Sequence, residues 1–131
     1  MTSSSSERHA ERAIRHEARA QNYRRKAALL LNRDADTDCA AALIYESAKQ
    51  CINAVANQRG ANPGTTGGKV NVVRELASVD HDSDLMENWQ SADKLHIHAD
   101  RGHLTIAEFD GYWNDAQAFI ESMLTIYDRD A

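Results

Sequence analysis

The chain has one proline and six glycines in 131 residues, too few turn formers for the many tight reversals of an all-β sandwich or barrel. No apolar run approaches the ~20 residues that carry a helix across a bilayer. The first residues, Met1-Thr2-Ser3-Ser4-Ser5-Ser6-Glu7-Arg8, lack the apolar core of a secretory signal. A cytoplasmic protein without a membrane partner is therefore expected. There are only two cysteines, Cys39 and Cys51. On one helix they would lie about 18 Å apart, too far to bridge, so free thiols serving as small core residues are expected. Also missing are a Gly-x-Ser-x-Gly nucleophile turn, a Cys-x-x-Cys pair and a His-Glu-x-x-His metal helix. No cofactor and no metal is expected.

What is present is helical periodicity. The length suits one domain, which would bury roughly two thirds of the surface of its unfolded chain. The expected fold class is all-α, an up-and-down bundle of four long helices plus one short helix, with a flexible N-terminus over residues 1–6 and one bundle domain over 7–131. A serine cap within residues 3–7 starts a first helix that runs to about Asn32. Its early apolar positions, Ala10, Ile14 and Ala18, are sparse, and its later ones, Tyr23, Ala27, Leu30 and Leu31, are dense. The later half is thus expected to pack and the first two turns to fray. Asp36 or Thr37 caps a second helix whose Ala40, Ile44, Ala48, Cys51, Ile52 and Val55 make it central. Residues 59–68 hold four of the six glycines and the only proline, which marks a loop. A short helix with Val70, Val73, Leu76 and Ala77 on one face follows, and Asp80-His81-Asp82-Ser83-Asp84 ends it with several potential caps. The fourth helix carries Leu85, Trp89, Ala92, Leu95 and Ala99 up to an Arg101-Gly102 stop. Thr105 caps the last helix, and Glu108 completes a capping box. The stripe from Phe109 to Tyr127 on this helix, with Trp113 and Phe119 in it, is broad enough to supply a homodimer interface as well as a core.

The net charge of −5 is unevenly placed. Residues 1–33 carry eight Arg or Lys against three Glu, and the remainder carries seven against seventeen Asp or Glu. The first helix therefore either meets an anionic partner or lies against acidic helices of the same chain or of a second copy. Arg12, Arg15 and Arg19, preceded by Arg8, recur at three- and four-residue spacing and are the candidate nucleic-acid contacts. The competing expectation is a solvated face, in which the interleaved Glu7, Glu11 and Glu17 balance the arginines and Glu11 and Arg15 pair at i, i+4.

Two stretches invite a chemical interpretation. Gly64-Thr65-Thr66-Gly67-Gly68-Lys69 is loosely similar to a phosphate-cradling P-loop, but Pro63 stands where the motif needs glycine and Val70 where it needs Ser or Thr. An interhelical loop with a capped helix start explains it. His96-Ile97-His98-Ala99-Asp100-Arg101-Gly102-His103 holds three of the six histidines and resembles the His-x-His-x-Asp-His run of metallo-β-lactamase-like hydrolases only superficially. On a continuous helix, His96, Asp100 and His103 would share a face at i, i+4 and i+7 while His98 pointed elsewhere. A helix-borne zinc site is thereby conceivable, though a polar helix end is the commoner fate of such residues.

Ala41-Ala42-Leu43-Ile44-Tyr45-Glu46-Ser47-Ala48-Lys49-Gln50, the loop 59–68, and Ala92-Asp93-Lys94-Leu95-His96-Ile97-His98-Ala99-Asp100 followed by the aromatic last helix together resemble the HEPN family of small helical bundles. That family occurs in prokaryotic toxin–antitoxin and defence systems. The resemblance spans about residues 24–127. It implies a homodimer, a nucleotidyltransferase-like protein partner or RNA as partner, and, in active members, metal-independent RNA cleavage. The active members carry an arginine, four to six residues, then a histidine near the end of the penultimate long helix. Here His96 takes the arginine's place, Arg101-Gly102-His103 has the residue types at the wrong spacing, and Arg12-x-x-x-His16 lies on the first helix. The expectation is a HEPN-like binding module without standard nuclease activity. The alternative is a divergent ribonuclease using His96, His98, Asp100 and His103 as acid and base.

Overall fold

The computed structural model describes residues 4–82 and 84–131. It contains five helices, α1 (Ser5–Asp34), α2 (Thr37–Gln58), α3 (Thr66–Val79), α4 (Leu85–Arg101) and α5 (Ile106–Arg129), and no strand among the described residues. Of the N-terminus expected to be flexible, residues 1–3 lie outside the described residues. The expected serine cap within residues 3–7 is Ser4, whose side chain accepts the Glu7 N–H, and Ser5 and Ser6 are helical.

Local signals fix most helix ends. Asp36 caps α2 by accepting the Cys39 N–H at 3.1 Å, and Ala35 makes the turn from α1 with φ at 51°. Thr65 caps α3. Gly102 ends α4 in the left-handed conformation, φ 60°. Thr105 and Glu108 form a reciprocal capping box at the start of α5. Of the candidate caps before α4, Asp84 makes no side-chain cap bond, and Ser83 lies outside the described residues. Gly68 is required sterically, since a Cβ there would sit 2.1 Å from the Pro63 carbonyl oxygen. The glycine loop is thus shaped by the close approach of its own backbone to the first turn of α3, and Lys69 points back to donate to the Gly64 carbonyl.

The side-chain pairings reveal how the helices run. His9 meets Asn57, His16 meets Gln50, and Ser47 donates to the Ala20 carbonyl, a constant register that only an antiparallel α1–α2 hairpin allows. Ser91 with Asp115 and His98 with Phe109 give the same relation for α4 and α5. Asp38 with His98 and Tyr45 with Trp89 give it for α2 and α4. The four long helices therefore alternate in direction, and α2 touches all the others. Twelve of its residues are buried, in keeping with its expected central place.

The face by which α1 packs is not the expected one. Ala10, Ile14 and Ala18 are exposed, Ile14 at 63%. Ala13 and Ala20 are buried instead and, with Ala27 of the expected later half, form a strict seven-residue repeat. Side chains this small let α1 lie close enough to α2 for Ser47 Oγ to reach the Ala20 carbonyl at 2.7 Å. The first turns are held as well, because His9 Nδ1 bonds the buried Asn57 Oδ1 at 2.9 Å. Near the middle, Arg24 of α1 grips Glu121 and Gln117 of α5.

Most of the stripe on α5 is buried within the chain, while Tyr112, Trp113 and Tyr127 are half-buried. Phe109, Ala116, Phe119, Ile120, Met123 and Leu124 are buried against α2 and α4, and Trp89 stacks at a tilt on Phe119 with centroids 5.6 Å apart. Much of its breadth is used in packing on two neighbouring helices. Of the two thiols, both free, Cys51 is a core residue as expected. Cys39, in the first turn of α2, is exposed and is not one.

Candidate functional site

The four residues proposed from sequence for catalysis, His96, His98, Asp100 and His103, are not brought to one point. His96 is exposed, its ring stacked on Tyr45 with centroids 4.1 Å apart and planes at 19°. His98, two residues on, faces a different side of α4 and is 5% exposed. Its Nδ1 accepts the Leu104 N–H at 3.0 Å and its Nε2 lies 3.4 Å from Asp38 Oδ1. The ring thus fastens the α4–α5 connection to the start of α2. Asp100 is exposed, with neither hydrogen bond nor ion pair among the described residues.

His103 is not on a helix at all. Gly102 in the left-handed conformation turns the chain away, so the supposed face of His96, Asp100 and His103 does not exist, and the ring of His103 lies 5.9 Å from that of His98. Among the described residues, no three His, Cys, Asp or Glu side chains are grouped to hold a metal ion. His98 does line a cavity of about 310 Å³, whose other walls include Asp38, Asp110, Leu31, Leu104 and Phe109. Two carboxylates at that cavity repel a phosphodiester rather than attract it.

The arginines on α1 behave differently. Arg12, Arg15 and Arg19 line a single cavity of about 320 Å³ together with His16 and Asn62. The four α1 residues stand at i, i+3, i+4 and i+7 and so share one helix face. Asn62 comes from the loop after α2, carried there by the antiparallel hairpin. None of the three arginines forms an ion pair or hydrogen bond among the described residues. The i, i+4 pairing expected between Glu11 and Arg15 is not made. The basic character of α1 is therefore divided: Arg24 is spent on α5, whereas Arg12, Arg15 and Arg19 face solvent around a concavity.

His16 is the residue that sequence reasoning passed over as belonging to the wrong helix. Its Nδ1 lies 2.5 Å from Gln50 Oε1, so the ring is anchored to α2 and stands as a wall between the arginines. Its signal was the four-residue step from Arg12. Asn62 had none, since only the tertiary fold brings the loop back to α1.

Elsewhere the reactive groups are muted. Full burial pushes the Cys51 thiol up to about 12, which makes it a poor nucleophile at neutral pH. The Cys39 thiol is also raised, chiefly by its hydrogen bond to Asp36 and then by that carboxylate's charge. A further cavity of about 370 Å³ lies between His9, Ile14, Gln58 and Tyr127, and Gln58 Oε1 is buried there without a hydrogen-bond partner. No protein-family model matches this chain, and no curated protein or solved structure is significantly similar to it.

Proposed function

We propose that this chain is a HEPN-like helical binding module that engages RNA through the first half of α1, and that it lacks the nuclease activity of the family's active members. The observation that supports it is the convergence of Arg12, Arg15 and Arg19 on one cavity with no acidic partner among the described residues. Guanidinium groups left unneutralised at a concave surface attract phosphate and bind it by charge-assisted, often paired hydrogen bonds. Residues 34–131 carry seventeen acidic against seven basic side chains, which favours RNA contact through α1 over the remainder of the chain. Against the ribonuclease alternative, His96 and Asp100 stand apart from the adjacent His98 and His103 rings, and His98 is buried with both nitrogens engaged, by the Leu104 N–H and by Asp38, whereas an acid and a base must both reach one reacting phosphate.

The same reading includes a second copy of the chain, or a nucleotidyltransferase-like protein, as protein partner within a toxin–antitoxin or defence system. Incubation of the purified protein with fluorescent single-stranded RNA in EDTA separates the two activities. The expected result is a rise in anisotropy with the RNA intact. Cleavage that His96→Ala abolishes would replace this reading with the ribonuclease.

A further inference from the structure

Building on that RNA-binding reading, we infer that the cavity between α1 and the α2–α3 loop receives a terminal phosphate of an RNA strand, a phosphomonoester, rather than the phosphodiesters of its interior. Four features support this. Arg12 and Arg19 are about 10 Å apart along the helix axis, with Arg15 between them, so all three long side chains can converge on one group. Three guanidiniums at one point match the charge of a monoester, close to −2 at neutral pH, better than the single charge of a diester. The walls of the cavity are guanidinium, imidazole and carboxamide. No phenylalanine, tyrosine, tryptophan or apolar side chain is among the residues lining it, and the charge of three arginines favours the phosphate as the group recognised. Finally, residues 34–131 carry seventeen acidic against seven basic side chains. A strand laid across the surface would have to pass those carboxylates, whereas a strand end entering the cavity does not.

His16 and Asn62 complete the site. With Nδ1 held by Gln50, the His16 ring is anchored at the cavity that the arginines line. The Asn62 amide supplies a neutral donor from the opposite wall.

The test is a set of fluorescence anisotropy titrations with one RNA sequence carrying a 5′-phosphate, a 3′-phosphate or hydroxyls at both ends. They are run on the wild type and on Arg12→Gln, Arg15→Gln and Arg19→Gln, substitutions that keep an exposed helical position helical. One phosphorylated form is expected to bind about tenfold tighter or more than the hydroxyl form, since the added charge meets guanidinium donors. Each glutamine variant is expected to shrink that ratio, and which end is preferred identifies the end that enters. Equal binding of all three RNAs overturns the inference and leaves the RNA-binding reading standing. No binding of any RNA overturns both. Full displacement of the RNA by AMP at equal concentration also overturns it, because the ligand would then be a free nucleotide. Circular dichroism of each variant establishes that a lost ratio does not come from unfolding.

Discussion

At the residue scale, His98 and His96 illustrate how neighbours in sequence take unlike roles. His98 is enclosed, and its Nδ1 is the acceptor for the Leu104 N–H; His96 is exposed and touches Tyr45 by stacking alone. Removing the His98 ring leaves a cavity and a partly buried N–H without an acceptor. His98→Ala should therefore lower stability by about 2–4 kcal/mol, and His96→Ala by less than ~1 kcal/mol, as read by urea denaturation. Equal losses would contradict the structural role given to His98. Glu108 supplies a second residue-scale prediction. Its carboxyl is held below the usual glutamate range, first by the Thr105 backbone N–H and then by the Thr105 side chain. A carboxyl depressed in the folded state stabilises above its unfolded pKa, and that stabilisation is lost as pH falls through the folded value. The Tm difference between wild type and Glu108→Gln should be greatest near pH 6 and should shrink as pH is lowered to about 3. A difference independent of pH would mean that the ionised carboxylate is not what caps α5.

At the scale of the element, what was legible in the sequence divides along the range of the forces involved. Caps act within a turn, so the Thr105–Glu108 box, the Gly102 stop and the Asp36 cap could be read directly and are found in place. The packing face of α1 depends on its neighbour. Counting apolar residues picks Ile14, whereas close contact with α2 selects Ala13, Ala20 and Ala27, whose value lies in their small size. Ala20 is fully buried against a hydrogen bond from Ser47, so Ala20→Leu should overpack the hairpin and cost about 1–3 kcal/mol. A neutral effect in thermal unfolding would mean that α1 and α2 are not as close as described. For the candidate site, the arginine spacing was legible because one helix carries it. The addition of Asn62 was not, because it required the hairpin and the loop to be folded. The grouping of His103 with His96 failed for a local reason: the Gly102 stop, itself legible, already removes His103 from the helix.

At the scale of the whole molecule, charge and shape point to the same surface. The positive charge gathered in residues 1–33 is partly consumed where Arg24 meets Glu121, and Arg12, Arg15 and Arg19 bring three of the remaining charges to the α1 cavity. Most of the apolar stripe of α5, by contrast, is buried inside the chain. On the proposed RNA-binding reading, the partner is drawn to α1 by charge, and binding should weaken as salt rises. The most direct test of the central claim is the dependence of RNA affinity on salt concentration for the wild type and for Arg12→Gln/Arg15→Gln/Arg19→Gln. The account predicts measurable binding by the wild type at low salt, with a slope of log affinity against log salt that falls in magnitude in the triple variant, by roughly 0.7 for each phosphate charge no longer neutralised on a single strand. Wild-type and variant curves that superimpose would contradict it.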